Sequence, residues 1–453
     1  MGVTFRIGDF FAPGRIMRLR REFQRTQYMP PDALRAWQNE RLTRVVLHAV
    51  RHVPYWRDLF RERGLTAADV RTVDDLEKLP LLTRETVRRE GRRLRSNAPR
   101  SRLTVVSSSG STGRPITMAM DRAANALEFV YYWRYWGWAG YRLGDRFAMF
   151  DPYVFLDRPR RAGRAWHWQP LLGRLVLNAA ALSAERIGEL ADGLRRFRPR
   201  FLKGHASDLA LLALLLEARG ISDIHFKGVF PTAEMLLPPH REAMRRVFGG
   251  LVLDSYGHME RVVAVCQCER GGYHVNADYG LLQLEDVAPR GPEGQCLGRV
   301  VGTGLHNLAM PFLRYDVGDF IEPADDAAPC PCGRTLPLVR SIQGRREDVL
   351  VTPDGRVAAG LYNVLGRVPE IELGQLEQDG RDHVTVAVVP GPDYDARVEA
   401  RLTDILTGLL GPAMRIEVRH VARDAIKRTP DGKVRTIIGY ATVDEALRES
   451  GAL

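Results

Sequence analysis

The stretch ERIGELADGLRRFRPRFLKGHASDLALLALLLEARG, residues 185–220, decides the architecture. It reads as a helix over 185–197, a strand over 200–203 and a second helix over 206–219. The alternation continues with a strand over 226–230, a helix over 237–248 and a strand over 251–254. Strands alternating with helices at this spacing predict a parallel sheet. In such sheets ligands sit beyond the carboxyl ends of the strands. Those ends carry Gly204-His205-Ala206, Pro231-Thr232-Ala233-Glu234 and Ser255-Tyr256-Gly257-His258-Met259-Glu260. All three loops are therefore site candidates on one edge of the sheet, and the fold class predicted is α/β.

Upstream lies Ser107-Ser108-Ser109-Gly110-Ser111-Thr112-Gly113-Arg114-Pro115, between the strand-like runs 103–106 and 116–120. Hydroxyl and glycine residues leave backbone N–H groups uncovered, and successive N–H groups that converge form an anion site suited to phosphate. The Walker spacing GxxxxGK[ST] is absent. The same composition also serves flexible linkers, so the loop alone does not decide between the two.

Toward the amino terminus, residues 15–28 are basic and amphipathic, and 32–64 carry a helical pattern broken by Pro54. Thr83 reads as a helix cap. Residues 123–139 read as a helix rich in aromatics, a pattern of core more often than of a cofactor box. Residues 157–169, arginine-rich and containing Trp166, His167 and Trp168, read as a mobile loop, either a cover for the site or an insertion. After 270 the pattern becomes β, and Gly344-Arg345-Arg346-Glu347-Asp348 reads as a hinge before a tail with its own apolar patterns. Two domains are predicted: 1–344, with a helical opening over 1–100, and a small mobile α+β domain over 345–453.

The 453 residues carry a net charge of +11, spread along the chain without a long basic block or a nucleic-acid motif. That distribution suits anionic small ligands better than nucleic acid. No apolar segment has the length of a membrane span; 209–216 reads as a buried helix, and residues 1–30 contain no signal-peptide core. A cytoplasmic protein is expected. Four of the five cysteines fall in two close pairs, Cys266 with Cys268 and Cys330 with Cys332. In a reducing compartment such pairs suggest metal before disulfide.

In order and spacing, six segments resemble the adenylate-forming (acyl-CoA synthetase-like) superfamily, and within it the phenylacetate–CoA ligase family with its capsular polysaccharide biosynthesis relatives. They are the 107–113 loop, Thr232-Ala233-Glu234, Tyr256-Gly257-His258-Met259-Glu260, Arg314-Tyr315-Asp316-Val317-Gly318-Asp319, Gly344-Arg345 and Thr429-Pro430-Asp431-Gly432-Lys433. The resemblance implies a large adenylate-forming amino-terminal domain, mostly parallel sheets and helices, plus the small carboxyl-terminal one. It implies an ATP-dependent ligase that makes an acyl-adenylate from a small carboxylic acid, aromatic in the family's best-known members, and transfers the acyl group to coenzyme A. Two rival readings stand beside it. One is transfer to an amine or a carrier protein; the other is a non-catalytic nucleotide-binding relative, against which the joint presence of Glu260, Asp319, Arg345 and Lys433 argues.

By the same resemblance Ser107, Ser108, Ser109, Gly110, Ser111, Thr112 and Gly113 hold the β- and γ-phosphates, Thr112 nearest the metal. Tyr256 stacks on adenine, beside Gly257, with Ala233 and Glu234 lining the other side. Asp319 reaches the ribose, Arg345 the same ribose or the phosphate, Glu260 holds Mg²⁺, and Lys433 reaches the carboxylate and α-phosphate when the small domain closes. Met259 stands where the family usually has a small polar residue, and Glu347 where the hinge residue is often aspartate. His205, Phe230 and Trp133 are the acyl-pocket candidates. Cys268, His274, Cys330 and Cys332 supply three thiolates and an imidazole, enough for a tetrahedral structural Zn²⁺; Cys266 competes for the first position, and Cys296 reads as core.

Overall fold

The computed structural model describes residues 13–98, 103–107, 116–151, 153–156, 163–182, 185–233, 235–289, 295–324, 328–345, 350–353, 357–358, 365, 368, 370–428 and 434–439. The chain opens with helices α1 (Pro13–Thr26), α2 (Pro31–His52) and α3 (Pro54–Glu62). Val53, extended at φ −116°, separates the last two, because the residue before a proline is pushed out of the helical region. Helix α4 (Arg84–Glu90) is capped by Thr83, whose hydroxyl accepts from the Thr86 N–H at 3.2 Å. Strands β1 (Thr104–Ser107) and β2 (Thr117–Met120) pair antiparallel on either side of the Ser/Gly loop. Helix α5 (Arg122–Trp138) follows, with the Asp121 carboxylate accepting from the Ala124 N–H at 2.9 Å.

Next in the chain come β3 (Phe147–Phe150), the short helix α6 (Tyr153–Leu156), β4 (Trp166–Gln169) and β5 (Arg174–Leu177). The alternating stretch then forms α7 (Ile187–Phe197), β6 (Phe201–His205), α8 (Ala206–Ala218), β7 (Gly228–Thr232), α9 (Pro238–Phe248), β8 (Leu251–Val252) and β9 (Ser255–Gly257). Antiparallel strands β10 (Ala264–Gln267), β11 (Tyr273–Val275), β12 (Gly280–Pro289), β13 (Cys296–Gly304), β14 (Tyr315–Pro323) and β15 (Leu338–Arg345) complete the body. Among the described residues these form one 13-stranded sheet, in the order β12-β13-β14-β15-β11-β10-β9-β7-β6-β3-β5-β4, with β8 beside β7. Strands β5, β3, β6, β7 and β9 run parallel, so the three loops predicted as site candidates do lie along one edge.

Two sequence expectations change. Residues 166–169 form not a mobile loop but an edge strand antiparallel to β5. Trp168 stacks on Phe197 at 4.5 Å and Trp166 meets the same ring edge-on at 5.2 Å, which ties β4 to α7; residues 157–162 lie outside the described set. Cys296 opens β13 exposed, not in the core.

The sheet is buried on both faces. Phe147, Met149, Phe201 and Phe230 pack against Tyr135 and Trp136 of α5, so the aromatic run of α5 is core. On the other face Leu175, Leu202 and Val229 meet Leu190, Leu209, Leu212 and Phe248 from α7, α8 and α9. The tail forms a second sheet from β18 (Ile371–Gly380), β19 (His383–Pro390), β20 (Arg415–His420) and β21 (Ile437–Ile438), preceded by the hairpin β16 (Leu350–Val351) and β17 (Val357–Ala358). Helix α10 (Ala396–Leu410) lays Val398, Leu402 and Leu406 on Val384, Val386 and Val388 of β19, and Met235 and Leu237 of the body touch the same cluster. Among the described residues no helix is long and apolar enough to cross a membrane.

Candidate active site

Strand β9 delivers Tyr256 and Gly257 to the carboxyl edge, and the Tyr256 hydroxyl donates to Asp319 Oδ2 at 2.5 Å. Strands β15, β11 and β10 stand between β14 and β9 in the sheet. In a flat sheet four strand spacings put these residues roughly 19 Å apart, so the contact requires the sheet to curl over this region. Asp319 is 6% exposed and in register with Arg345 of β15. The two candidates for the ribose thus share one ladder, and the candidate for adenine is hydrogen-bonded to one of them.

Glu260, 6% exposed, lies three residues past β9. Its Oε1 accepts from the Tyr315 hydroxyl at 3.1 Å and stands 3.6 Å from Arg84 Nη2. Its Oε2 faces His258 Nδ1 at 3.4 Å. Burial pushes the Glu260 carboxyl up, but His258 and Arg84 outweigh it and hold it down at about 2. Arg84 reaches this point because Leu82 forms a one-residue bridge with Tyr315, donating to the Arg314 carbonyl at 2.9 Å and accepting from the Asp316 N–H at 3.0 Å. The other ring nitrogen of His258, Nε2, is buried without a hydrogen-bond partner among the described residues. An orphaned buried nitrogen in a native site calls for a ligand or water.

The backbone is also unusual here. Ala233 (φ 68°), Arg261 (φ 58°) and Arg314 (φ 49°) are non-glycine residues in the left-handed region, at a cost of about 1–2 kcal/mol each. Arg261 and Arg314 directly flank Glu260 and Tyr315, and strain of this kind collects at functional sites.

The structure therefore brings Tyr256, Gly257, Glu260 and Asp319 together, with Ala233 at the end of neighbouring β7. Ser107 ends β1. Ser108, Ser109, Gly110, Ser111, Thr112, Gly113, Glu234, Glu347 and Lys433 lie outside the described residues, and of Arg345 only the strand position is described. His205 ends β6 with Nδ1 3.4 Å from Asp208 Oδ2. Trp133 is half-buried on α5, 6.2 Å from the Phe129 ring. Phe230 is fully enclosed, stacked on Phe147 at 6.0 Å and 13°, so it backs the region from the core. Sequence reasoning gave no role to Arg84 or His258. His258 lies inside a quoted motif; Arg84 carries no signal of its own, since its placement depends on the Leu82–Tyr315 bridge.

A second cluster lies at the tip of the β10–β11 hairpin. Ligand atoms of Cys268, His274, Cys330 and Cys332 all lie within 4.8 Å of one another. Cys268 and Cys330 sulfurs are 3.6 Å apart, and Cys332 Sγ is 3.2 Å from His274 Nε2. His274 Nδ1 pairs with the Leu336 carbonyl at 3.1 Å. An N–H at Nδ1 leaves the Nε2 lone pair for a metal. Backbone N–H groups of Arg270 and Arg334 donate to Cys268 and Cys332 at 3.4 Å each. Cys266 is not a member: its thiol pairs with the Tyr131 hydroxyl at 3.0 Å beneath α5, and burial pushes it up to about 12.

The fold, with this acidic, tyrosine-bearing edge beyond its parallel strands, is that of the adenylate-forming class. No family model matches the chain. The phenylacetate–coenzyme A ligase of Thermus thermophilus is 30% identical over 356 residues, 76% of this chain and 77% of that one. Protein CapK of Staphylococcus aureus is 20% identical over 408 residues, 88% of each. Among solved structures, 2-hydroxyisobutyryl-CoA ligase in its postadenylation state superposes with a TM-score of 0.70 at 20% identity, covering 94% of both chains. The chain belongs to the phenylacetate–coenzyme A ligase family of the adenylate-forming superfamily, and is an enzyme of the ligase class.

Proposed function

We propose that this ligase joins a small carboxylic acid to ATP and passes the acyl group to coenzyme A. A carboxylate oxygen attacks the α-phosphorus, the α–β phosphoanhydride bond breaks, and pyrophosphate leaves. The thiolate of coenzyme A then attacks the acyl carbon, and AMP leaves with the carboxyl oxygen. The convergence of Tyr256 and Glu260, from β9 and the loop that follows it, with Asp319 of β14 is the observation that supports this reading best.

In this scheme the Ser107–Gly113 loop receives the β- and γ-phosphates, with Thr112 closest to them. Tyr256 presents its ring to the base while its hydroxyl orients Asp319 toward the ribose, and Arg345 assists from the paired strand. Ala233 and Glu234 close the other side. The Glu260 carboxylate, with Oε2 toward His258, suits a magnesium ion that takes one or two carboxylates and keeps waters; bound there, the ion would neutralise charge on the phosphates. Lys433, on the mobile tail domain 345–453, brings an ammonium to the meeting point of two anions, where preorganised charge counts most. Rotation of that domain between the two steps would separate adenylation from thioester formation. Cys268, His274, Cys330 and Cys332 would hold a structural zinc.

Pyrophosphate release measured with a panel of acids and no acceptor tests the first step; AMP and thioester formation on adding coenzyme A tests the second. Release without coenzyme A dependence, but with an amine or a carrier protein completing turnover, favours transfer to that acceptor instead. No release with any acid, together with no thermal shift by ATP, refutes the activity.

A further inference from the structure

One buried cation has no part in this scheme. Lys203 lies in the middle of β6, in register between Met149 of β3 and Phe230 of β7. It is 3% exposed, on the sheet face that α5 covers. The side chain crosses to α5, where Nζ stands 4.3 Å from the centre of the Tyr132 ring. Among the described residues it makes no hydrogen bond and no ion pair.

The neighbouring carboxylates act on it without pairing with it. Glu128 of α5 accepts from the Tyr279 hydroxyl and lies 3.7 Å from Arg261. Arg174 enters the same region from β5, donating to Gln169 Oε1 at 2.7 Å, and its charge opposes that of Lys203. Burial pulls the Lys203 pKa down to about 8, while Glu128 and Asp151 hold it up; the group is thus mostly protonated at neutral pH. A buried ammonium without a partner is costly, and methionine would fill the same volume without that cost.

Its position suggests what offsets the cost. His205 follows two residues later on the same face, at the carboxyl edge, and Asp151 occupies that edge one residue past β3. Lys203 therefore sits one layer beneath the rim where the acyl chain must enter if the acid approaches from the edge carrying Tyr256 and Glu260.

We propose that Lys203 determines which acid is accepted: its ammonium donates to an oxygen carried by the acyl substrate at the end remote from the reacting carboxylate. This inference rests on the ligase reading above. The substrate class is then an acid with a second oxygen function, and a purely hydrocarbon acid binds poorly. A site built around a buried donor rejects an analogue lacking the acceptor, by factors of up to about 10⁴–10⁵.

The test is pyrophosphate release by the full-length protein on pairs of acids that differ by one oxygen function: phenylacetate against 3- and 4-hydroxyphenylacetate, benzoate against 3- and 4-hydroxybenzoate, butyrate against succinate. The expected result is a preference of at least about 100-fold in kcat/KM for the oxygen-bearing member of one or more pairs. In Lys203→Met that preference collapses to within about 3-fold with the KM for ATP unchanged, and Lys203→Gln, which keeps a donor, recovers part of it. The inference is overturned if the wild-type protein favours the unsubstituted member of every pair, or if Lys203→Met keeps the wild-type ratios. The wild-type ratios decide even where a variant folds poorly. Release with some acids but without the preference overturns only the role of Lys203, whereas no release with any acid overturns the activity and this inference together.

Discussion

Asp278→Asn should be among the most destabilising near-isosteric changes in the protein. Arg134 of α5 is 2% exposed, and its guanidinium donates to both Asp278 oxygens, at 2.5 and 2.8 Å. It also donates to Asn276 Oδ1 at 2.6 Å and the Phe23 carbonyl at 3.0 Å, and lies 4.5 Å from the centre of the Phe23 ring. The Thr26 hydroxyl of α1 donates to the same carboxylate. The pair thus joins α1, α5 and the 276–278 turn. Asparagine fills the same space and still offers one carbonyl oxygen, so no cavity forms; what disappears is, among the described residues, the one formal negative charge in direct contact with the guanidinium. Breaking a buried pair by removing one partner costs about 3–5 kcal/mol, a large share of the 5–15 kcal/mol or so that keeps a domain folded. Replacing both members, as in Arg134→Met with Asp278→Leu, removes the stranded charge and should return to within about 1–2 kcal/mol of wild type. Urea unfolding followed by tryptophan fluorescence, compared at equal m-values, measures each variant. A single variant within about 1 kcal/mol of wild type, or a double variant no more stable than the single one, refutes the reasoning.

Tyr256→Phe keeps the ring and removes the hydrogen bond to Asp319; a bond to a charged acceptor is worth about 1.5–3 kcal/mol, so the KM for ATP should rise roughly 10- to 100-fold with little change in kcat, and an unchanged KM rejects the pairing of base and ribose residues. Metal analysis of the reduced wild-type protein should find close to one zinc per chain, lost with part of the stability in Cys330→Ser; metal-free wild-type protein rejects the site. Because the folded Lys203 pKa, about 8, lies below the ordinary lysine value, the unfolded chain binds more protons between pH 8 and roughly 10.4. Wild-type stability should therefore rise through that window by up to about 3 kcal/mol relative to Lys203→Met; a pH-independent difference rejects the buried ammonium.

The regular part of the molecule is legible because its strands are buried on both faces. Residues 201–205 and 228–232 are short apolar runs between helical patterns, and the structure shifts their ends by only a few residues. The 251–254 strand divides into β8 and β9, since Leu253 and Asp254 lie between the two pairings. Strand β4 escaped because four residues at a sheet edge, next to an arginine-rich segment, have the composition of a loop. Cys266 and Cys268 could not be separated by spacing. The structure separates them by depth: Cys266 lies in β10 under α5, whereas Cys268 lies at the hairpin tip where Cys330 can meet it. The Arg84–Glu260 contact was invisible for a different reason. It needs a bridge between Leu82 and Tyr315, and no local pattern encodes a pairing of that range. Lys203 was hidden in an apolar run, where its neighbours dictate the strand and its charge adds nothing to the period.

The thiol–imidazole cluster and the candidate active-site edge belong to one mechanical unit, although among the described residues no ligand of the first touches the second. Strand β10 pairs with β9 through Val265 and Tyr256, and with β11 through Cys266 and His274. Strand β11 pairs in turn with β15 through Tyr273 and Val339, and the far end of β15 sets Arg345 opposite Asp319. The cluster joins the tip of the β10–β11 hairpin to the 330–332 turn, closing a loop between residues 62 apart. Fixing that loop removes freedom from the unfolded chain rather than adding contacts in the folded one. Four protein ligands fill a tetrahedral zinc and leave no open position for substrate, so such a metal would take no part in the chemistry. Its effect would be to hold β9 and β15 in one register, and that register is what places the Tyr256 hydroxyl within reach of Asp319.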